Sequence, residues 1–147
     1  MAITQNTFME AGLKAKIDNY YAPQTIAILI NDPSGTLTAS SLMADVVALE
    51  IDDNQAYNRQ TVVFPPAVIT AGRAEAQSDP IVFEAVNFDI STFTHICFVL
   101  GGSTTGGDAS TGIPDRIEPV NNGVPLSLAR GESYIHSFLH QEEGNYL

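Results

Sequence analysis

Three histidines and one cysteine are the residues of this chain best suited to bind a metal or act as a nucleophile. His136 and His140 are four residues apart, and two histidines at this spacing on a helix can share a metal ion. Their neighbours, among them Tyr134 and Phe138, predict a strand instead, on which the two side chains would lie about 13 Å apart. We therefore predict no metal site and no cofactor.

His95 and Cys97 are two residues apart in a run of apolar residues, so on a strand both side chains would lie on one face. A cysteine paired with a histidine is the nucleophile of some enzymes. An apolar strand interior raises the pKa of a thiol, however, and a reactive thiol needs a lowered pKa. We expect Cys97 to be a small core residue and His95 a hydrogen-bonded structural residue.

The remaining motifs give no catalytic constellation. The acidic residues Asp32, Asp45 and the pair at 52–53 lack the spacing of a calcium-binding loop and are typical of turns and caps. The glycine-rich segment 101–107 lacks the Gly-Lys-Ser/Thr ending of a phosphate-binding loop. No Gly-x-Ser-x-Gly elbow occurs in the sequence. We predict that the protein is not an enzyme and has no catalytic residue.

Aromatic, arginine and exposed apolar side chains indicate protein contacts instead. Tyr and Arg are enriched at the positions that dominate binding between proteins. The alternative for two of them is structural: Tyr57 could pack on a sheet and Arg59 could pair with a nearby acid. The candidate interface residues are Met9, Leu13, Ile17, Tyr20, Tyr21, Tyr57, Arg59, Tyr146 and Leu147.

The composition excludes several classes of partner. Among 147 residues, 17 are acidic and 6 are basic, which gives a formal net charge of -11. Because the basic residues are few and scattered, we expect no binding to nucleic acid and none to an anionic membrane. One cysteine excludes an intrachain disulfide. We expect no signal peptide and no apolar run of about 20 residues, and therefore synthesis in a host cytoplasm.

Two helices are predicted. Thr7 and Glu10 have capping-box spacing, and Met9, Leu13 and Ile17 form one narrow apolar stripe. We expect residues 1–20 to form an N-terminal helix that docks on something larger, because a stripe without a partner is an association site. A serine cap followed by apolar residues predicts a second, short helix over 40–50.

Strands are predicted by β-branched and aromatic runs, chiefly at 26–30, 82–88, 93–100 and 134–139, with a further strand over 59–64. Residues 101–118 are predicted to be a long loop at a contact with another molecule. The strands lack regular intervening helices, which predicts a compact antiparallel β-sandwich with an N-terminal helix and one short additional helix. We expect the sandwich domain at 21–139 and a polar C-terminal tail at 140–147.

Sequence motifs in a fixed order carry a family resemblance. Ala-Ser-Ser-Leu at 39–42 is followed by Ala-Tyr-Asn-Arg at 56–59, and Thr-His with an apolar run and Gly-Gly occupies 94–102. Val-Pro-Leu at 124–126 and Arg-Gly-Glu-Ser at 130–133 complete the pattern, which spans roughly residues 7 to 139. The chain resembles the small virion structural proteins of tailed phages, of tail-fibre or tail-associated type, including those of phages that infect cyanobacteria.

The resemblance implies a structural protein of the phage tail, baseplate or fibre that contacts other virion proteins, and it supplies no catalytic residues. It implies a location in the virion and a homo-oligomer, with a trimer as the first expectation from the habits of fibres. One alternative is a head decoration or neck protein of the same kind of particle. A glycan-binding module at a fibre tip is a second alternative, which the absence of Trp and the five Tyr support little.

Overall fold

The structure, a computed structural model, describes residues 9–51 and 57–143. It is mainly β, with antiparallel sheets, an N-terminal helix and one short additional helix. The predicted fold class is therefore confirmed. None of the helices in these two ranges is long and apolar enough to cross a membrane.

The elements follow in chain order. The helices are α1 (Glu10–Tyr20) and α2 (Met43–Leu49), and a short 3-10 turn covers Asn121–Gly123. The strands are β1 (Thr25–Ile30), β2 (Gln60–Val62), β3 (Val68–Thr70), β4 (Arg73–Gln77), β5 (Ile81–Glu84), β6 (Ile90–Phe93), β7 (His95–Leu100), β8 (Ile113–Pro119), β9 (Leu126–Leu128), β10 (Ser133–His136) and β11 (Leu139–Glu143).

Two compact units divide the described residues. The first unit comprises 9–23, 63–80 and 137–143, and the second comprises 24–51, 57–62 and 81–136. This division differs from the expected one into a helix at 1–20, a sandwich at 21–139 and a tail at 140–147. The helix shares its unit with β3, β4 and β11, which come from distant parts of the chain.

Helix α1 packs against the sheet of the first unit, in which β4 lies between β11 and β3. Leu13 and Ile17 are each 1% exposed and form a core with three alanines of the 63–80 segment, namely Ala67, Ala74 and Ala76. The expectation of an unpartnered apolar stripe is corrected, because small alanine side chains let the helix approach β4 closely. Met9 precedes the helix and is exposed, and the predicted cap residue Thr7 lies outside the described residues.

Strands β3 and β4 form a hairpin that the sequence did not reveal. Thr70 pairs with Arg73, so the turn consists of Ala71 and Gly72, with φ angles of 50° and 77°. Two positive φ angles are typical of the type I′ turn that matches the twist of a two-stranded ribbon. Gly72 adopts this conformation freely, whereas the Cβ atom of Ala71 makes it costly there.

Strand β11 corrects the expected C-terminal tail at its described end. Residues 139–143 pair with β4 from Leu139 opposite Gln77 to Glu143 opposite Arg73. The strand predicted over 134–139 therefore ends at His136, and a new strand in the other unit begins at Leu139.

The second unit contains a four-stranded antiparallel sheet in the order β2, β1, β7, β8. All six residues of β1 are buried, as expected for a central strand with two apolar faces. Ile26, Ile28 and Ile30 of β1 pack with Met43 and Val46 of α2 in one core cluster. The predicted strand at 26–30 and the predicted short helix are present, although α2 begins three residues later than its serine signal. The strand predicted over 93–100 is present from His95 onward as β7, whereas Phe93 ends β6.

The predicted loop over 101–118 is shorter than expected. Residues 113–119 form β8, which pairs with β7 along the edge of the sheet, and the loop is confined to 101–112. Pro114 and Pro119 weaken the strand signal of this segment in the sequence, because proline is accepted in a sheet chiefly at an edge. Two further pairs complete the unit, β5 with β10 and β6 with β9.

Candidate protein-interaction surface

His136 and His140 lie on different strands, β10 and β11, and each is held by a tyrosine and a glutamate. In the second unit, His136 Nε2 is 2.7 Å from Glu118 Oε1, and its Nδ1 is 2.9 Å from the Tyr134 hydroxyl. In the first unit, His140 Nδ1 is 2.5 Å from the Tyr21 hydroxyl, and its Nε2 is 3.0 Å from a carboxylate oxygen of Glu142. Both rings therefore use their two nitrogens in contacts within the fold.

Among the described residues, no three His, Cys, Asp or Glu side chains are grouped so that they could hold a metal ion. His95 Nδ1 lies 2.7 Å from the Thr94 hydroxyl. The Cys97 side chain is buried, and burial raises the pKa of its thiol to about 12. At neutral pH this thiol stays protonated, so its surroundings do not activate it as a nucleophile.

Arg59 forms a buried ion pair with Glu50. Its Nε is 2.8 Å from Glu50 Oε1 and its second terminal nitrogen is 2.7 Å from Oε2, which is a two-pronged contact. The arginine side chain has no exposed surface and the glutamate side chain is 4% exposed. Burial opposes the charge of Arg59, but hydrogen bonds to Glu50 and its charge outweigh burial and hold the arginine pKa above its usual value.

The same ion pair fixes the loop over 101–112. The remaining arginine nitrogen donates to the carbonyl oxygens of Ser103 at 2.9 Å and Asp108 at 3.1 Å. The amide of Gly107 donates to Glu50 Oε2 at 3.0 Å. The loop is predicted to contact another molecule, and within this chain three hydrogen bonds to two buried side chains hold it in place.

Tyr57 belongs to the same buried cluster. Its hydroxyl accepts a 2.9 Å hydrogen bond from the amide of Leu29, and its ring stacks on Phe83 with centroids 6.0 Å apart. Burial and the charge of Glu50 raise the pKa of Tyr57 well above its usual value. In this chain Tyr57 packs in the core and Arg59 pairs with an acid, which is the structural alternative to a role in an interface.

The other predicted interface residues divide into four groups. Met9 is exposed before the first turn of α1, and Leu13 and Ile17 are core residues. The side chain of Tyr20 is exposed and its ring contacts the ring of Tyr21. Tyr21 also stacks on Phe64, with ring centroids 4.0 Å apart. Tyr146 and Leu147 lie outside the described residues.

An exposed apolar face on β5 and β10 was not anticipated. Val82 and Ile135 are directly opposite each other in the two strands and are 43% and 62% exposed. Directly opposite residues share one face of a sheet, so the two side chains form a single apolar surface. Val86 and Phe88, which follow β5, are also exposed.

Acidic and polar groups surround this face. Glu84 and Ser133, the next outward pair, are exposed. A cavity of about 280 Å³ lies beside the face, and its lining includes Val82, Glu84 and Val86 on one side and Asn58 and Gln60 on the other. The face therefore combines an apolar surface, a recess and a carboxylate in a small area of the second unit.

A signal for this face exists in the sequence. In Ile-Val-Phe-Glu at 81–84, Ile81 and Phe83 point into the core, so Val82 is an apolar residue at an outward position. In Ser-Tyr-Ile-His at 133–136, Ile135 has the same outward position. Each strand alone is unremarkable. Only the pairing of β5 with β10, about 50 residues apart, makes the two residues neighbours.

Comparisons of this chain with protein-family models, curated proteins and solved structures found no match.

Proposed function

We propose that this protein is a structural component of a tailed-phage particle, in the tail, baseplate or fibre, and that it acts through contacts with other virion proteins. The observation that supports the proposal is the exposed apolar face of Val82 and Ile135. The family resemblance in the sequence supports the viral setting, and the face supports the mode of action.

The physical argument concerns the cost of leaving this face in water. Full burial of a Val or Ile side chain contributes about 1.5–3 kcal/mol. Val82 and Ile135 are roughly half exposed, so covering them would add about 1 kcal/mol each. Covering this surface lowers the free energy, whereas the net charge of the chain favours solvation of the rest. An exposed apolar surface of this kind is typical of a protein-protein contact.

The proposal is tested in particles. The protein should be found by mass spectrometry in purified virions of the phage that encodes it. An Ile135→Lys variant, supplied in place of the natural protein, should be incorporated less well because a charge would interrupt the apolar face. Ile113→Lys is the matched control, since Ile113 is also an exposed strand isoleucine, 68% exposed, in a different sheet.

Two results would contradict the proposal. One is the absence of the protein from purified virions, which would remove the viral role altogether. The other is equal incorporation of the Ile135→Lys and wild-type proteins, which would leave the apolar face without a part in assembly.

The homo-oligomer remains part of the proposal, with light scattering as its test against the monomer mass of 15.7 kDa. A trimer would give about three times that mass. Copy number per particle would distinguish a tail position from the alternative of a head decoration or neck protein.

A glycan-binding module is the second candidate, and one observation favours it. Tyr20, Tyr21, Phe64 and His140 form an aromatic group in the first unit, beside a cavity of about 330 Å³. Aromatic rings can stack on the apolar face of a sugar. Binding on a glycan array that is lost in a Phe64→Ser variant would support this function, and no binding to any glycan would exclude it.

A further inference from the structure

The apolar face on β5 and β10 has a charge as well as a shape. Glu84 extends the face along β5 and is exposed. Glu132, which precedes β10, is also exposed, and its carbonyl oxygen accepts a 3.0 Å hydrogen bond from the amide of the buried Ala85. On the face itself, the apolar pair is bordered by the carboxylate of Glu84.

Positive charge is scarce in the same area. Within 81–89 and 130–136 the only Lys or Arg is Arg130, against three acidic residues, Glu84, Asp89 and Glu132. A second copy of this chain would bring the same acidic border against itself, and like charges brought together across an interface are costly. The charge of this face therefore disfavours self-association and favours a basic partner.

The cavity beside Val82 indicates how a partner would be held. Its walls include Val82, Val86 and Glu84, and its polar side includes Asn58 and Gln60. Gln60 Nε2 donates to the carbonyl oxygen of Asn58 at 3.0 Å, which orients the amide at the border. A recess of about 280 Å³ whose walls are partly apolar and partly polar, with one carboxylate, suits a single apolar side chain next to a basic one.

We propose that this face binds a segment of a different protein in which apolar residues alternate with Lys or Arg. An apolar side chain of that segment enters the recess beside Val82, and its neighbours pack on Ile135. A basic side chain of the segment pairs with Glu84. The inference rests on the proposed function, because it names the chemistry of the partner that an assembly protein would contact.

The experiment uses a short capped peptide of alternating Val and Lys as the probe. Amide chemical shifts of the full-length protein are followed by NMR during titration at low salt. The shifts should be largest at Val82, Val86 and Ile135. Replacing every Val of the peptide by Ser, or every Lys by Glu, should weaken binding at least tenfold, because each change removes one of the two required chemistries.

Variants of the protein provide the second arm. Ile135→Ser should weaken binding of the Val-Lys peptide about five- to tenfold, since about 1 kcal/mol of apolar contact is lost and 1.4 kcal/mol is tenfold. Glu84→Gln should weaken it and reduce its dependence on salt. Ile113→Ser, the matched control in another sheet, should bind as the wild type does. Dispersed NMR spectra should show that all three variants are folded.

Three results would overturn the inference. The Ser-Lys peptide could bind as tightly as the Val-Lys peptide, which would reduce the contact to charge alone. Ile135→Ser could bind as tightly as the wild type. The free protein could also be a dimer that Ile135→Ser converts to a monomer, which would make a second copy the occupant. None of these results affects the detection of the protein in virions, so failure here is distinguishable from failure of the proposed function.

Discussion

The ion pair of Glu50 and Arg59 allows the sharpest test of the fold of the second unit. Arg59→Met removes the guanidinium group and keeps an unbranched apolar side chain of similar length. The Glu50 carboxylate would then be left at 4% exposure without its charged partner. The carbonyl oxygens of Ser103 and Asp108 would also lose a donor, so the loop over 101–112 would lose its attachment.

The magnitude follows from the geometry. Removing one partner of a buried ion pair costs about 3–5 kcal/mol, because the remaining charge stays buried. Single domains are stable by about 5–15 kcal/mol, so this change removes a large part of the total. With a urea dependence of about 1–3 kcal/mol per molar, the unfolding midpoint of Arg59→Met should fall by about 2 M. Circular dichroism during urea titration measures it.

Two controls separate the buried charge from lost packing. The Glu50→Gln and Arg59→Met double variant has no buried charge, so it should be more stable than the sum of the two single changes predicts, by at least about 2 kcal/mol. Hydrogen exchange at the Gly107 amide, which donates to Glu50, should accelerate in Arg59→Met. A cost below about 1 kcal/mol for Arg59→Met, or additive single changes, would refute the assignment of this pair as the anchor of the loop.

Three other sites give simpler predictions. Ala71→Gly should stabilise the protein by about 0.5–1 kcal/mol in thermal unfolding, because the turn needs a positive φ angle there, and Ala71→Val should destabilise it. Burial opposes the charge of Asp32, but hydrogen bonds from Thr36 and Leu37 outweigh it and hold the pKa of Asp32 below its usual range. The resulting stability is present above the unfolded-state pKa of about 3.9 and is lost as the pH falls through the folded-state value, so Asp32→Asn should flatten the acid side of the stability curve. The Cys97 thiol, buried and with a pKa of about 12, should not react with a disulfide reagent at pH about 8 until urea unfolds the chain, and rapid labelling of the folded protein would contradict the burial.

The strands that the sequence predicts are those made of residues with a strong preference for β-structure. β1 and β7 are runs of β-branched and aromatic residues, and both lie in the centre of a sheet. β4 buries only Ala74 and Ala76, which have little strand preference, and it forms because α1, β3 and β11 pack around it. Local preference therefore predicted the core of the second unit and missed the hairpin and β11 in the first.

The candidate site could be predicted only in part, because its contacts join distant positions. The sequence predicts that Arg59 either contacts another protein or pairs with a nearby acid. Its hydrogen bonds to residues 44 and 49 positions away have no local signal. The sequence predicts the apolar stripe of α1. It does not predict the alanines that cover the stripe, because alanine occurs both in cores and on surfaces. Val82 and Ile135 needed the register of β5 and β10 to become one face.

The sheet of the first unit has a consequence for the order of events during synthesis. Its middle strand, β4, pairs on one side with β3, which is adjacent in the chain, and on the other with β11, which is made about 60 residues later. Between these two events β4 has an open edge that can pair with another chain. A polypeptide interrupted before residue 139 would keep that edge open, so unfinished chains should aggregate through β4 while complete ones close it with their own β11.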